Sequence, residues 1–278
     1  MTADHAGSRS QRRILICADD FGHSSETSQV ILDLLSRGKI NATSCLVESG
    51  AWATLGGQLR QIARASPAVA VGLHLNLTER FAQDALGSLS PPDLIRLTRL
   101  LMLPIGGRNN DLYMRMASQW DLFVRYFGRE PDFVDGHQHV HLSPAAWKPL
   151  MRLLAEKRFG GWIRQCRTSS DRASPKQMLL NRLSSQFKRK ALKHGFAFNA
   201  GFGGLRRFGE AENIATIWQT DLAAMPENGV LMVHPGADVN AADPIGRYRV
   251  QEARLLAGNW MQETLDASGF SLDRSFLL

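Results

Sequence analysis

From Arg13 to Ala18 the chain is a short, almost wholly apolar run, and such runs alternate with longer amphipathic stretches up to the C-terminus. Short apolar runs bounded by turn residues predict buried strands; apolar positions recurring every three to four residues predict helices packed over them. After the first strand, Val30, Ile31, Leu34 and Leu35 mark one face of a helix that starts near Ser24 and stops at Gly38. Ile40–Val47 reads as strand, Ala51–Ala65 as helix and, beyond the break at Pro67, Val69–Leu75 as strand. The stretch from Phe81 to Gly128 is mostly helical in pattern, opening at Pro91-Pro92 and interrupted at Gly106-Gly107. Phe133 and Val134 begin a strand that runs into a histidine cluster, and Pro144–Lys157 reads as helix. Trp162–Cys166, Phe196–Asn199 and Val230–Val233 are further strands, separated by helical stretches around 175–194 and 210–224. A last helix covers about Tyr248 to Ala267.

This alternation is that of a parallel α/β protein. The chain has 278 residues, close to the roughly 250 of a single (β/α) barrel, and shows no internal repeat or linker. We therefore expect a distorted or incomplete (β/α) barrel over residues 13–278, preceded by a loose tail at 1–12.

Composition adjusts this picture little. Hydrophobic residues at 44% and charged residues at 21% suffice for a large core and argue against disorder. The first dozen residues lack the apolar segment of a secretory signal, and no run approaches the roughly 18 apolar residues of a transmembrane helix. Cys17, Cys45 and Cys166 are odd in number and widely spaced, which predicts buried free thiols and, by default, the cytoplasm. The net charge of +7 is concentrated at Arg182, Lys188, Arg189, Lys190 and Lys193. These residues share their segment with Leu179, Leu183, Phe187 and Leu192, so we read a solvated helix face over an apolar stripe and expect no nucleic-acid partner.

The candidate chemistry lies where polar residues end or follow strands: Asp19 and Asp20, His74, His137, Arg167 and His234. In parallel α/β folds these ends share one face, where active sites collect. Adjacent Asp side chains point different ways, so one could bind a metal while the other accepts a proton; one could also simply cap the following helix. His137, His139 and His141 would lie on one side of an extended chain, close enough to gather around a metal or substrate. Spacing does not select among them. Asp20, His74 and one member of the cluster would make a site of one carboxylate and two imidazoles with open positions for water. Hydrolysis is the expected chemistry, with a phosphoesterase or a non-catalytic binding protein as alternatives.

The runs Ala18-Asp19-Asp20-Phe21-Gly22, Val71-Gly72-Leu73-His74-Leu75-Asn76-Leu77-Thr78 and Asp135-Gly136-His137-Gln138-His139-Val140-His141, followed by Val233-His234-Pro235-Gly236, resemble the YdjC family of carbohydrate deacetylases, including its chitooligosaccharide and hopanoid-associated branches. The resemblance spans nearly the whole chain. It implies a polysaccharide-deacetylase-like barrel and removal of an N-acetyl group from an N-acetylated sugar or oligosaccharide. It also implies one divalent ion, magnesium or zinc, held by Asp20, His74 and His137, with Asp19 as base. His234 matches the family's late His-Pro motif and would protonate the leaving amine, the alternative being that it fixes a loop. Arg167 would hold a substrate group or form an exposed ion pair, and His139 and His141 would face substrate or support the ligands.

The remaining features read as structure first. The stretch from Phe81 to Gly128 would supply a lid or a homodimer contact, with Leu94, Leu97, Leu100 and Leu101 in the core. Trp147, Trp162 and Trp218 are expected in the core ahead of any role in stacking on sugar rings. Gly201-Phe202-Gly203-Gly204 reads as a turn.

Overall fold

Strand β1 (Arg12–Phe21) is buried without interruption from Ile14 to Phe21. A strand covered on both faces carries a continuous apolar run, here Ile14–Ala18, which is the mark of a parallel sheet with helices outside. The computed structural model describes residues 11–78, 109–169, 174–206, 213–237, 243 and 245–274. The predicted tail and the stretch 81–108, with its leucines, fall mostly or wholly outside them.

After β1 come α1 (Ser25–Ser36), β2 (Ala42–Cys45), α2 (Gly50–Ala65), β3 (Ala70–Leu75), α3 (Asn109–Phe127) and β4 (Phe133–Gly136). A 3-10 turn at His137–Leu142 leads to α4 (Pro144–Glu156), β5 (Trp162–Ile163), α5 (Pro175–Leu192), β6 (Ala197–Phe198) and β7 (Phe202–Gly203). The chain continues through α6 (Ile214–Ala224), β8 (Gly229–Val233), α7 (Gly246–Ala257), α8 (Trp260–Ala267) and β9 (Phe270–Leu272). Helix starts follow capping chemistry: the Ser24 hydroxyl accepts from Thr27 N at 3.1 Å and Ser49 from Trp52 N at 3.2 Å. Helix α2 then buries Trp52, Leu55 and Leu59 along one side.

The strands are parallel throughout, in the order β6-β5-β4-β3-β2-β1-β8-β7, with β9 alongside the start of β1. Asn41 fastens β2 to β1, accepting from Ile16 N at 2.9 Å and donating to Ile14 O at 3.1 Å. The two outer strands of this order, β6 and β7, are consecutive in sequence and joined only by Asn199, Ala200 and Gly201. So short a link forces the sheet to curl until its edges meet. Beyond β5, Thr168 forms a bridge to Phe202 of β7, and Asn199 bonds to Gln165 N and Gln165 O at 2.8 and 3.1 Å. The result is the expected distorted barrel.

Several boundaries differ from the sequence pattern. Trp162–Cys166 is a strand for two residues only, because Gln165 and Cys166 take their backbone bonds from the Asn199 and Ser184 side chains. The C-terminal helix is two, parted at Gly258-Asn259. Phe202-Gly203 is strand rather than turn, and Gly204 leaves it at φ 89°, where a Cβ would strike the Met232 carbonyl oxygen. Trp147, Trp162 and Trp218 are core residues, as expected. On α5 the stripe is split: Phe187 is buried and Leu183 half-buried, while Leu179 and Leu192 are exposed.

Candidate active site

The paired aspartates sit on an irregularity. Along β1 and β2 the register runs Cys17 to Ala42, Ala18 to Thr43, then Phe21 to Cys45, so β1 holds one extra residue at Asp19-Asp20. A β-bulge of this kind re-aims side chains at a barrel rim. Asp20 takes φ 69°, rare for a residue other than glycine. Strict alternation would send the two carboxylates to opposite faces of the sheet; with the bulge, both reach the surroundings of His74.

Asp20 Oδ1 lies 3.0 Å from His137 Nδ1 and 3.4 Å from His74 Nε2, while Arg249 on α7 donates to Asp20 Oδ2 at 2.8 Å. His74 and Asp135 are register partners on β3 and β4, which brings His74 Nδ1 to 2.7 Å from Asp135 Oδ1. Ser44, from the end of β2, is 2.9 Å from the same nitrogen and donates to Asp19 Oδ1 at 3.2 Å. Asp19 is clamped by Arg164, whose Nη1 and Nη2 donate to its two oxygens at 2.6 and 2.7 Å; Arg164 Nη2 also lies 2.7 Å from Asp135 Oδ2. All of these carboxylates and Arg164 are almost completely buried.

The donor set suits a metal. Asp20, His74 and His137 offer ligand atoms within 4.8 Å of one another. His74 would bind through Nε2 while its Nδ1 is oriented by Asp135, the carboxylate support commonly found behind metal-binding histidines. Asp19, His74 and Asp135 form a second such group, but Arg164 already occupies both of its carboxylates, which favours the first.

Burial opposes charge throughout this cluster, and the pairing overcomes it. Burial alone would raise Asp20, yet Arg249 and His137 hold it well below the usual carboxylate range. Asp135 is likewise lowered against its burial by Arg164 and His74. Burial would lower His74, but Asp135 and Asp19 push it up to about 10, which favours the imidazolium form beside Asp135.

The histidine cluster does not share one face. Gln138 and His139 adopt φ values of 51° and 60° inside the 3-10 turn, so the chain is coiled where extended geometry was expected. Only His137 meets Asp20. His139 Nδ1 is 3.6 Å from Cys166 Sγ, with its ring edge-on to Phe202. His141 is fully buried, lowered to about 4 chiefly by that burial, and its Nε2 donates to the Arg164 carbonyl at 2.9 Å, supporting the arginine rather than facing a substrate.

His234 follows β8 at the same rim. Burial lowers it to about 4 against the pull of Asp20 and Asp19, so its ring is neutral. Its backbone N–H donates to Glu252 of α7, which pairs with Arg206 at 2.5 Å. Arg167 stands outside the cluster, exposed, its backbone N–H bonded to Gln165 Oε1 at 2.7 Å.

Sequence reasoning passed over Arg164, Arg249, Asp135, Ser44 and Glu252 as working residues. Arg164 carried a usable signal, a charged residue within an apolar strand pattern. Arg249 and Glu252 carried none, since helix α7 looks solvated in sequence and its buried polar residues have meaning only against the rim.

The sequence matches the model of the family described as YdjC-like protein over residues 13–267. A chitooligosaccharide deacetylase of Escherichia fergusonii is 27% identical over 152 residues, 53% of this chain and 57% of that protein. Its counterpart in Salmonella schwarzengrund is 28% identical over 152 residues, with the same shares. These alignments thus span little more than half the length of the relatives. Among solved structures, a proposed cellobiose-phosphate cleavage protein of Enterococcus faecalis V583 gives a TM-score of 0.65 at 18% identity, covering 97% of this chain and 100% of that one, a likeness of fold.

Proposed function

This chain belongs to the YdjC-like family, and we propose that it is a deacetylase that hydrolyses the N-acetyl group of an N-acetylated sugar or oligosaccharide with the help of one divalent ion, magnesium or zinc. The observation that carries this reading is the convergence of Asp20, His74 and His137 within 4.8 Å, beside an Asp19 clamped by Arg164. Asp20, His74 and His137 would hold the ion. When bound, it would polarise the amide carbonyl and make water easier to deprotonate.

The protein's own groups divide the remaining work. Asp19 accepts a proton from the attacking water, and Arg164 fixes the direction of its lone pairs. Attack on the amide carbon gives a tetrahedral oxyanion; its collapse breaks the C–N bond and yields acetate and an amine. His234 would protonate the leaving nitrogen as the C–N bond breaks, and because its ring is lowered to about 4 by burial, the proton it delivers would be the one that Asp19 takes from water. The three buried free thiols fit a reducing, cytoplasmic setting.

The test is acetate release from a panel of N-acetylated oligosaccharides, assayed beside phosphate esters, in metal-stripped protein with and without added Mg²⁺ or Zn²⁺. Acetate release restored by metal supports the reading. Phosphate-ester turnover without acetate release overturns it.

A further inference from the structure

Helix α5 presents an exposed face of unusual make-up. Among the described residues, the exposed large hydrophobic side chains are Met178, Leu179 and Leu192 on this helix, at 62%, 45% and 51% exposure, and Met114 elsewhere. Met178, Arg182 and Arg189 are spaced by four and seven residues and so fall nearly in line along the helix, with Leu179 and Leu192 to either side. Leu180, Ser184, Phe187 and Ala191 occupy the opposite, buried side.

The face is also cationic. Pro175–Leu192 contains no acidic residue, and exposed Arg182, Arg189, Lys190 and Lys193 make no ion pair among the described residues. Lys190 lies over the Trp147 ring at 4.6 Å. Lys188 is lowered by its partial burial and then by the nearby charge of Arg167, and Arg167 and exposed Lys148 on α4 add to the positive surface. The helix is also firmly seated: Gln177 Nε2 donates to Thr168 Oγ1 at 2.6 Å and Cys166 N donates to Ser184 Oγ at 2.8 Å.

A merely solvated face accounts for the cations but not for three exposed aliphatic side chains set among them. Interleaved cations and aliphatic side chains on one helix face match an interfacial helix, which offers charge to anionic headgroups and apolar side chains to the acyl boundary. A second copy would bring the same positive charge against this face. A nucleic acid would use the cations but gain nothing from Met178, Leu179 and Leu192, and single strands are bound on exposed aromatic rings. We infer that the exposed face of α5 docks on an anionic phospholipid bilayer, Arg182, Arg189 and Lys193 meeting headgroup phosphates while Met178, Leu179 and Leu192 enter the acyl boundary. This surface is separate from the catalytic cluster and independent of its chemistry.

Co-sedimentation of the full chain with vesicles tests it, comparing phosphatidylcholine alone with phosphatidylcholine mixed with phosphatidylglycerol. Binding is expected only with phosphatidylglycerol present, weakening as salt rises from about 0.1 M to about 1 M and the screening length falls from about 10 Å to about 3 Å. Arg182→Glu with Arg189→Glu should lower partitioning by about tenfold or more. Met178→Ser with Leu192→Ser, which leaves every charge in place, should also lower it, and circular dichroism should show both variants folded. The inference is overturned if neither vesicle binds, or if folded charge variants bind as well as the parent. It is equally overturned if the serine variant binds unchanged, or if the face retains duplex DNA but no vesicle.

Discussion

Arg164 and Asp19, 145 residues apart in sequence, form a two-pronged ion pair of 2.6 and 2.7 Å in which both side chains are buried. Arg164 also neutralises Asp135, which orients His74. One guanidinium thus sets both the proposed base and the support of a proposed ligand. Arg164→Met should leave two buried carboxylates without their cation and destabilise the fold by about 3–5 kcal/mol. Urea unfolding measures this; a loss below about 1 kcal/mol would show that water or the remaining hydrogen bonds suffice.

Asp19 and His74 should fail in different ways. Asp19→Asn keeps an acceptor for Arg164 but cannot take a proton, so acetate release should fall by about 10²–10⁴ with bound metal unchanged. His74→Ala should lose metal as well as activity. Metal analysis of the purified variants beside kinetics separates the two, and equal metal loss in both would remove the division of roles.

Much of the candidate site was legible because strand ends are legible. Asp19, Asp20, His74, His137 and His234 each follow an apolar run, and parallel strands carry such residues to one rim whatever their separation. What was lost depended on geometry that leaves no local pattern. The extra residue at Asp19-Asp20 shows only against β2, and the left-handed backbone at Gln138 and His139 coils a segment whose spacing suggested an extended chain. Arg249 and Glu252 are polar residues on a helix of ordinary appearance, and only its packing on the rim shows that they are buried.

Metal binding should release a proton. His74 is held at about 10 by Asp135 and Asp19 despite its burial, so near neutral pH it must deprotonate before Nε2 can bind an ion. Affinity should therefore rise with pH from neutrality toward 10. Calorimetric titration in buffers of different ionisation enthalpy counts the proton, and a binding heat independent of buffer would contradict it.

In metal-free protein the same pair shapes stability. The folded pKa of His74 lies above its ordinary 6.5, so its contribution is complete below about 6.5 and is lost as pH rises through about 10. Asp135 is shifted the other way, so its contribution is present above 3.8 and is lost as pH falls below that value. Thermal melts in chelator should show an alkaline decline between about 6.5 and about 10, flattened in His74→Ala.

Gly22→Ala should damage the site without touching its chemistry. Gly22 has φ 94°, and a Cβ there would lie 2.2 Å from the Leu46 carbonyl oxygen, a backbone atom that cannot step aside. Destabilisation above about 1 kcal/mol is expected, with weaker metal binding because Asp20 is two residues away. A variant of parental stability would show that the bulge tolerates a different exit.

The three residues between β6 and β7 give the barrel wall an uneven character. Elsewhere neighbouring strands are held by ladders that can open and re-form; at Asn199-Ala200-Gly201 the two sides are joined by the chain itself. That short span works as a clasp: cutting it at exposed Ala200 would leave the seam to the pairing of Thr168 and Ser169 with Phe202 and to the Asn199 side-chain amide, which donates to Gly201 O at 2.7 Å, converting a closed wall into a hinged one.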